Sequence, residues 1–283
     1  MDIVLQTKSD KLLQPFIYGT AWKEDNTERL TTLALQQGFR AIDTANQRKH
    51  YYEQGVGFGI QSFLAKKTCQ RTDLFIQTKF TYVSGQDERL PYDKHVSLTE
   101  QVEQSLRSSL EHLQTDYLDS YILHGPYSTV GIGAEDIEVW RVMEELVEIG
   151  LVRYIGVSNI SAQQLKILMD KASIQPKFVQ NRCFALLQWD KEVRDICSKS
   201  DFVYQGFSLL TANHPYLQSP PIRSLAQKYN TTIPQLIFRF SQQTGILPLT
   251  GTTDAKHMAE DLSIYNFDIE EGDRRIIEQI SSH

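Results

Sequence analysis

Phe39-Arg40-Ala41-Ile42-Asp43-Thr44-Ala45-Asn46-Gln47-Arg48-Lys49-His50-Tyr51-Tyr52-Glu53 is the stretch on which the fold turns. Phe39 to Ile42 is a short apolar run suited to a buried strand, and the residues after it turn polar, beginning with an acid and leading to two tyrosines. In parallel sheets and barrels, ligands bind at the carboxyl ends of the strands. Asp43 then stands at the mouth of a site if other apolar runs end in the same way. They do. Phe16-Ile17-Tyr18 ends in Gly19-Thr20, Leu74 to Thr78 in Lys79, Leu118 to Leu123 in His124, and Tyr154 to Val157 in Ser158-Asn159. Phe178-Val179 ends in Gln180-Asn181, Phe202-Val203 in Tyr204, and Ile246 to Leu249 in Thr250-Gly251-Thr252. Polar residues at the same end of successive strands are the pattern of one shared site.

Helical segments separate these runs. Asn26 is placed to cap a helix that Gly38 closes, and Val56, Ile60, Phe63 and Leu64 fall at helical spacing within 55–67. Thr99 is placed to cap a helix over 98–113 with Val102, Leu106, Leu110 and Leu113 on one face. Further helices are expected over 136–149, over 165–171 behind Ser161, and over 190–199, 222–229, 233–243, 255–263 and 270–280. Eight strands alternating with helices through short connections define an α/β chain and favour a closed (β/α)8 TIM barrel over an open doubly wound sheet. No linker or repeat divides the sequence, so residues 1–283 are read as a single domain.

The composition agrees. Apolar residues make up 41 % and charged residues 23 %, enough for a large core under an ordinary surface. A net charge of −6 leaves no basic footprint for nucleic acid. No apolar run has the length to cross a bilayer, and the acidic Met1-Asp2 start does not resemble a signal peptide. Cys69, Cys183 and Cys197 are odd in number and at no metal spacing, which points to free thiols in a reducing cytoplasm and to no metal site.

Asp43, a tyrosine at 51 or 52, Lys79 and His124 would converge on one mouth. A buried lysine held by an aspartate is expected to stabilise a phenolate and lower the pKa of the tyrosine, while a neutral His124 orients a substrate carbonyl. Such a site delivers a proton to a carbonyl oxygen, but side chains supply no hydride, so a cofactor is required. Ser158, Asn159, Gln180 and Asn181 offer partners for a carboxamide, Tyr204 offers a stacking ring, and Gly251-Thr252-Thr253 before a helix offers a phosphate site. Trp22, Tyr52 and Tyr82, with Trp189 and Phe207, are candidates to line the substrate pocket. Gly55-Val56-Gly57-Phe58-Gly59 has the look of a dinucleotide fingerprint, yet it lies well past its strand and is read as helix-start geometry.

Phe-Ile-Tyr-Gly-Thr, Ile-Asp-Thr-Ala, Gln-Thr-Lys, Tyr-Ile-Leu-His, Ile-Gly-Val-Ser-Asn and Val-Gln-Asn, in this order over nearly the whole chain, resemble the aldo-keto reductase superfamily. The resemblance implies NADPH-dependent reduction of an aldehyde or ketone, a monomer, and a catalytic set of Asp43, Tyr51, Lys79 and His124. Tyr52 is the alternative proton donor, because family spacing from Asp43 falls on Arg48 and counting back from Glu53, Val56 and Gly57 falls on His50, which marks a local insertion. The cofactor set it implies comprises Gly19, Thr20, Asp43, Ser158, Asn159, Gln180, Asn181, Tyr204, Gly206, Ser208, Thr250, Gly251, Thr252, His257, Glu260 and Asp261. Gly251-Thr252 and His257 stand where many NADPH-preferring members carry Lys-Ser and Arg, so NAD(H) stays open beside NADP(H). Two alternatives to a reductase are a Schiff-base lyase using Lys79 and a nicotinamide-nucleotide sensor with little turnover.

Overall fold

Alternation along short parallel strands shapes the centre of the molecule. The structure, a computed structural model, describes residues 5–282; the Met1-Asp2 start lies outside them. A hairpin of β1 (Leu5–Gln6) and β2 (Leu12–Leu13) comes first. The barrel follows with β3 (Ile17–Gly19), β4 (Ala41–Asp43), β5 (Phe75–Phe80), β6 (Leu118–Leu123), β7 (Val152–Ser158), β8 (Phe178–Arg182), β9 (Val203–Phe207) and β10 (Ile246–Thr250). Each pairs in parallel with its sequence neighbour, and β10 pairs with β3 to close the ring. The expected closed barrel is thus observed.

Helices cover the outside: α1 (Thr27–Gln37), α2 (Glu53–Leu64), α3 (Leu98–Leu113), α4 (Ala134–Glu148), α5 (Ala162–Lys171), α6 (Lys191–Lys199), α7 (His214–Leu217), α8 (Pro220–Lys228), α9 (Ile233–Gln243), α10 (Ala255–Leu262) and α11 (Glu271–Glu278). Gly38 ends α1 in the left-handed conformation at φ 120°, where glycine is unstrained. Ser97, rather than Thr99, caps α3 by accepting from the Glu100 N–H, and Ser161 caps α5 by accepting from Gln164.

Two apolar layers result. Residues facing the helices, among them Tyr18, Ile42, Ile76, Tyr121, Val157, Val179 and Tyr204, join the helix faces in one large core. Inside the barrel, Ile17, Ala41, Phe75, Ile122, Phe178, Leu247 and Leu249 form a second cluster. Ile17, Ala41, Phe75 and Phe178 are the first residues of their strands, and Leu5 of the hairpin packs among them, which plugs the amino-terminal end. Each buried aliphatic or aromatic side chain contributes roughly 1.5–3 kcal/mol. Above this plug the interior turns polar.

Candidate active site

Asp43, Lys79 and His124 sit at the carboxyl ends of β4, β5 and β6, three adjacent strands in register. The Lys79 ammonium is fully buried and donates to Asp43 Oδ1, Asp43 Oδ2 and the Thr44 carbonyl, each at 2.7 Å. Three bonds use all three of its N–H donors. Burial pulls the Lys79 pKa down and Asp43 acts against that fall. Lys79 Nζ lies 5.3 Å from the centre of the Tyr51 ring, and the His124 ring lies 6.0 Å from it, edge-on at 68°.

Tyr51 and Tyr52 therefore occupy different places. The Tyr51 ring lies against Lys79 and His124, whereas the Tyr52 ring packs over Gly55, with the Arg48 guanidinium 4.5 Å from its centre. His50 is stacked on Trp22 at 4.1 Å and its carbonyl accepts the Trp22 N–H, which ties the two mouth loops together. The expected lowering of the tyrosine pKa is not found. Burial, with Asp43 adding to it, holds the Tyr51 pKa well above 10. The reason lies in the lysine: its charge is matched by Asp43, so desolvation of the phenolate dominates.

His124 places Nδ1 2.6 Å from Thr81 Oγ1, leaving Nε2 as the ring nitrogen free of that contact. Burial first, then the charges of Lys79 and His50, push its pKa down to about 3. The imidazole is neutral at physiological pH. Around the mouth, Ser158 donates to the Gln180 carbonyl at 2.7 Å, and Asn159, left-handed at φ 52°, donates to the His124 carbonyl at 2.7 Å. Gln180 donates to Asp43 Oδ1 at 3.0 Å. Thr20 is buried and donates from Oγ1 and N to the Asp43 carbonyl, while Gly19 approaches the Thr250 carbonyl, so both brace the mouth.

Several expected site residues face elsewhere. Tyr204 points to the helix side of β9 and donates to Asp190 Oδ2 at 2.8 Å, so its ring offers no stacking face at the mouth. Asn181 is committed on the helix side of β8: it donates to Ile160 O and Asp190 Oδ2 and accepts from Ile160 N. Gly206 also faces out, where a Cβ would stand 2.7 Å from the Ile246 side chain. All three follow from alternation, since β8 runs to Arg182 and β9 to Phe207, beyond the apolar pairs that announce them. Phe207, with the Arg182 guanidinium 5.7 Å from its ring, is the aromatic at the mouth end of β9. Ser208 follows it at φ 56°, its carbonyl accepting from Ala212. Tyr82 is buried and donates to Asp136 of α4, and Trp189 is buried against Phe240, so neither lines a pocket. Trp22, 70 % exposed, does stand open at the rim.

The expected phosphate site is also rearranged. Asp254 caps α10 and accepts from the N–H groups of Lys256 and His257, so the helix start already holds a carboxylate. Thr252, Lys256 and His257 remain accessible, with Glu260 3.6 Å from Lys256. Asp261 is buried and its pKa is raised by burial to about 7. Lys23 is the unforeseen feature. Only 5 % exposed, it donates to the Gly251 carbonyl at 2.8 Å, and among the described residues no carboxylate pairs with it. Burial lowers its pKa to about 8. A buried cation without a counter-charge beside the Gly251 loop fits an anionic phosphate. Nothing in its sequence context marks it.

Gln77 and Gln205 are equally unannounced. Both are fully buried inside the barrel and bonded to Asp43 or to its neighbours. The one signal in the sequence is that Gln77 lies two residues before Lys79 and thus on its face of the strand.

An eight-stranded parallel barrel with Asp43, Lys79 and His124 gathered beneath Tyr51 at the carboxyl ends of its strands defines the class, a TIM barrel with a polar site at its mouth. The profile of the Aldo/keto reductase family matches residues 15–282. The chain belongs to the aldo/keto reductase family. It is 30 % identical over 270 residues to the uncharacterized oxidoreductase YtbE of Bacillus subtilis, covering 95 % of this chain and 89 % of that one. It is 30 % identical over 249 residues to a glyoxal reductase of the same organism, covering 88 % and 81 %. Among solved structures, an aldo/keto reductase from Brucella melitensis superposes with a TM-score of 0.81 at 26 % identity, covering 99 % of this chain and all of that one. A Bombyx mori aldo-keto reductase in complex with NADP shares the fold at TM-score 0.81 and 23 % identity, covering 99 % and 93 %.

Proposed function

We propose that this protein reduces an aldehyde or ketone to an alcohol with NADP(H), with Tyr51 as the proton donor. The observation that carries the reading is the buried Lys79–Asp43 pair set 5.3 Å beneath the Tyr51 ring, with neutral His124 beside it. The raised pKa of Tyr51 keeps the phenol protonated in the free enzyme, as a donor must be. Lys79 stabilises the phenolate left when the proton passes to the carbonyl oxygen, and Asp43 holds that lysine charged. The tautomer this reading requires has Thr81 Oγ1, 2.6 Å from Nδ1, as the donor to that nitrogen, so that His124 Nε2 carries the hydrogen and donates to the substrate oxygen.

A reduced nicotinamide supplies the hydride when bound. Ser158, Asn159 and Gln180 would hold its carboxamide, Phe207 would face its ring, and Lys23 with Thr252 would meet its phosphates. Lys256 and His257 are the groups available to a 2′-phosphate, and NAD(H) is the second choice. The NADP complex of the Bombyx mori relative and the glyoxal reductase name of the Bacillus relative support cofactor and reaction class. A Schiff-base role for Lys79 is disfavoured, because all three of its donors are engaged and Asp43 favours the ammonium. Among the described residues no helix is long and apolar enough to cross a membrane. Three buried free cysteines suit a monomer in the reducing cytoplasm. Consumption of NADPH with a panel of reactive aldehydes, nitrobenzaldehydes included, tests the reading. No turnover across the panel would overturn it.

A further inference from the structure

The barrel interior holds a closed ring of amides directly under the Asp43–Lys79 pair. Asp43 and Gln77 are register partners on β4 and β5, and Gln180 and Gln205 are register partners on β8 and β9. The two pairs meet across the barrel. Gln77 Nε2 donates to Asp43 Oδ1 at 2.7 Å and to Gln205 Oε1 at 2.9 Å, and Gln205 Nε2 donates back to Gln77 Oε1 at 3.0 Å. Gln180 Nε2 donates to the same two oxygens, Asp43 Oδ1 at 3.0 Å and Gln205 Oε1 at 2.9 Å.

The polarity of this ring has one consistent sense. An ionised carboxylate only accepts, so Gln77 and Gln180 must turn their NH2 groups toward Asp43. Their second N–H bonds then require an acceptor, which sets the Gln205 oxygen between them and its nitrogen against Gln77 Oε1. Turning any one amide over places oxygen against oxygen at about 3 Å in a buried site, where an unmade hydrogen bond costs most. The ring and the carboxylate therefore orient each other. The other ionisable groups whose charge bears on the pair are Tyr51, His124 and Glu53 on α2.

We propose that Gln77 and Gln205 are positioning residues that hold the Asp43 carboxylate in the rotamer that seats Lys79 under Tyr51. The inference rests on the reductase reading, although one of its tests does not. Neither glutamine reaches the rim, so NADPH affinity should stay within about twofold of wild type in Gln77→Met and Gln205→Met, measured by fluorescence titration. The rate per cofactor-binding site should fall about tenfold in Gln77→Met, the size of effect that small misplacements of a reacting group produce. Gln205→Met acts through Gln77 and Gln180, so its loss should be smaller, and the double variant should be no slower than Gln77→Met by more than that loss predicts. A solvent deuterium effect on kcat should rise in both, because proton delivery becomes slower. Variant rates equal to wild type, or losses that track only the fraction of folded protein, would overturn the proposal.

If Gln77→Met does not fold, Gln77→Glu keeps the shape. Its new carboxyl donates to Asp43 only while protonated, so kcat should recover as pH falls and collapse as it rises; a profile parallel to wild type overturns the proposal. Independently of turnover, the side-chain amide resonances of Gln77 and Gln180 should shift together, with that of Gln205, when Asp43→Asn removes the charge. Shifts confined to the direct neighbours Gln77 and Gln180 would overturn the coupling. A wild-type enzyme without carbonyl turnover sinks the reductase reading alone, and the resonance test then still decides the ring.

Discussion

At the residue scale, the choice between two adjacent tyrosines rests on which ring meets the lysine. Tyr51 meets Lys79 and His124, and Tyr52 covers Gly55. Tyr51→Phe keeps the buried ion pair intact and should lower kcat at least about a hundredfold, within the range of general acid catalysis, with NADPH affinity retained. Tyr52→Phe should stay within about threefold of wild type; the reverse order in steady-state rates would move the proton donor to Tyr52. Lys79→Met is a poorer probe, because leaving Asp43 unpaired in the interior costs roughly 3–5 kcal/mol of stability as well. His124 gives a pH signature. With its folded pKa at about 3, the reduction rate should show no step near the ordinary imidazole value, and a kcat profile with a limb near pH 6.5 would contradict a neutral His124. Its linkage to stability has a definite sign: the unfolded chain takes up the proton first, so its contribution is full above about 6.5 and is lost as pH falls toward about 3.

At the element scale, α2 is seated so closely that side chains are excluded. A Cβ on Gly57 would lie 1.9 Å from the His112 carbonyl oxygen of α3, and on Gly59 2.7 Å from the Glu28 carbonyl of α1. The glycines of 55–59 thus serve helix packing, in line with their reading as helix geometry rather than a nucleotide fingerprint. Gly57→Ala should force α2 off α3 at a cost of about 1–3 kcal/mol or more, seen as a melting temperature lower by at least about 2 °C. An unchanged Tm would mean that the helices separate freely. Glu53, the first residue of α2, is buried with Thr78 and His112 as partners, so a shift of α2 should also move the Tyr51 loop that precedes it. The strands show where local reading stops. β4 and β6 end within a residue of their apolar runs, but β5 continues through Lys79 to Phe80, and β8 and β9 continue through Gln180 to Arg182 and Gln205 to Phe207. A glutamine inside a strand reads as a loop residue until the barrel closes around it.

At the scale of the whole molecule, cofactor and fold should be thermodynamically linked. NADPH at a hundred times its Kd should add about 2.7 kcal/mol, a rise of about 5–10 °C in Tm, with a smaller rise for NADH at equal concentration. No rise with either nucleotide would remove the cofactor assignment. Asp261 carries the opposite pH sign to His124. Its folded pKa of about 7 lies above the unfolded carboxyl value, so the folded state binds the extra proton and stability is lost as pH rises through about 4 to 7. Asp261→Asn should therefore raise Tm at pH 8 by several degrees and leave it nearly unchanged at pH 4. An equal shift at both would show that burial of the charge is not the cause.

Eight apolar runs with polar ends pointed to the barrel from sequence alone, and with it to the places of Asp43, Lys79 and His124, because the existence of a buried strand and the polar residue that closes its apolar run are written in local hydrophobicity. Only the tertiary structure decided that Tyr51 rather than Tyr52 lies at the lysine, that Tyr204, Asn181 and Gly206 face the helices, that Gln77 and Gln205 close a ring under Asp43, and that Lys23 stands buried beside Gly251. Which face a residue takes depends on how far each strand extends and on its register with its neighbours. Register is a property of contacts between segments distant in sequence, and no single segment contains it.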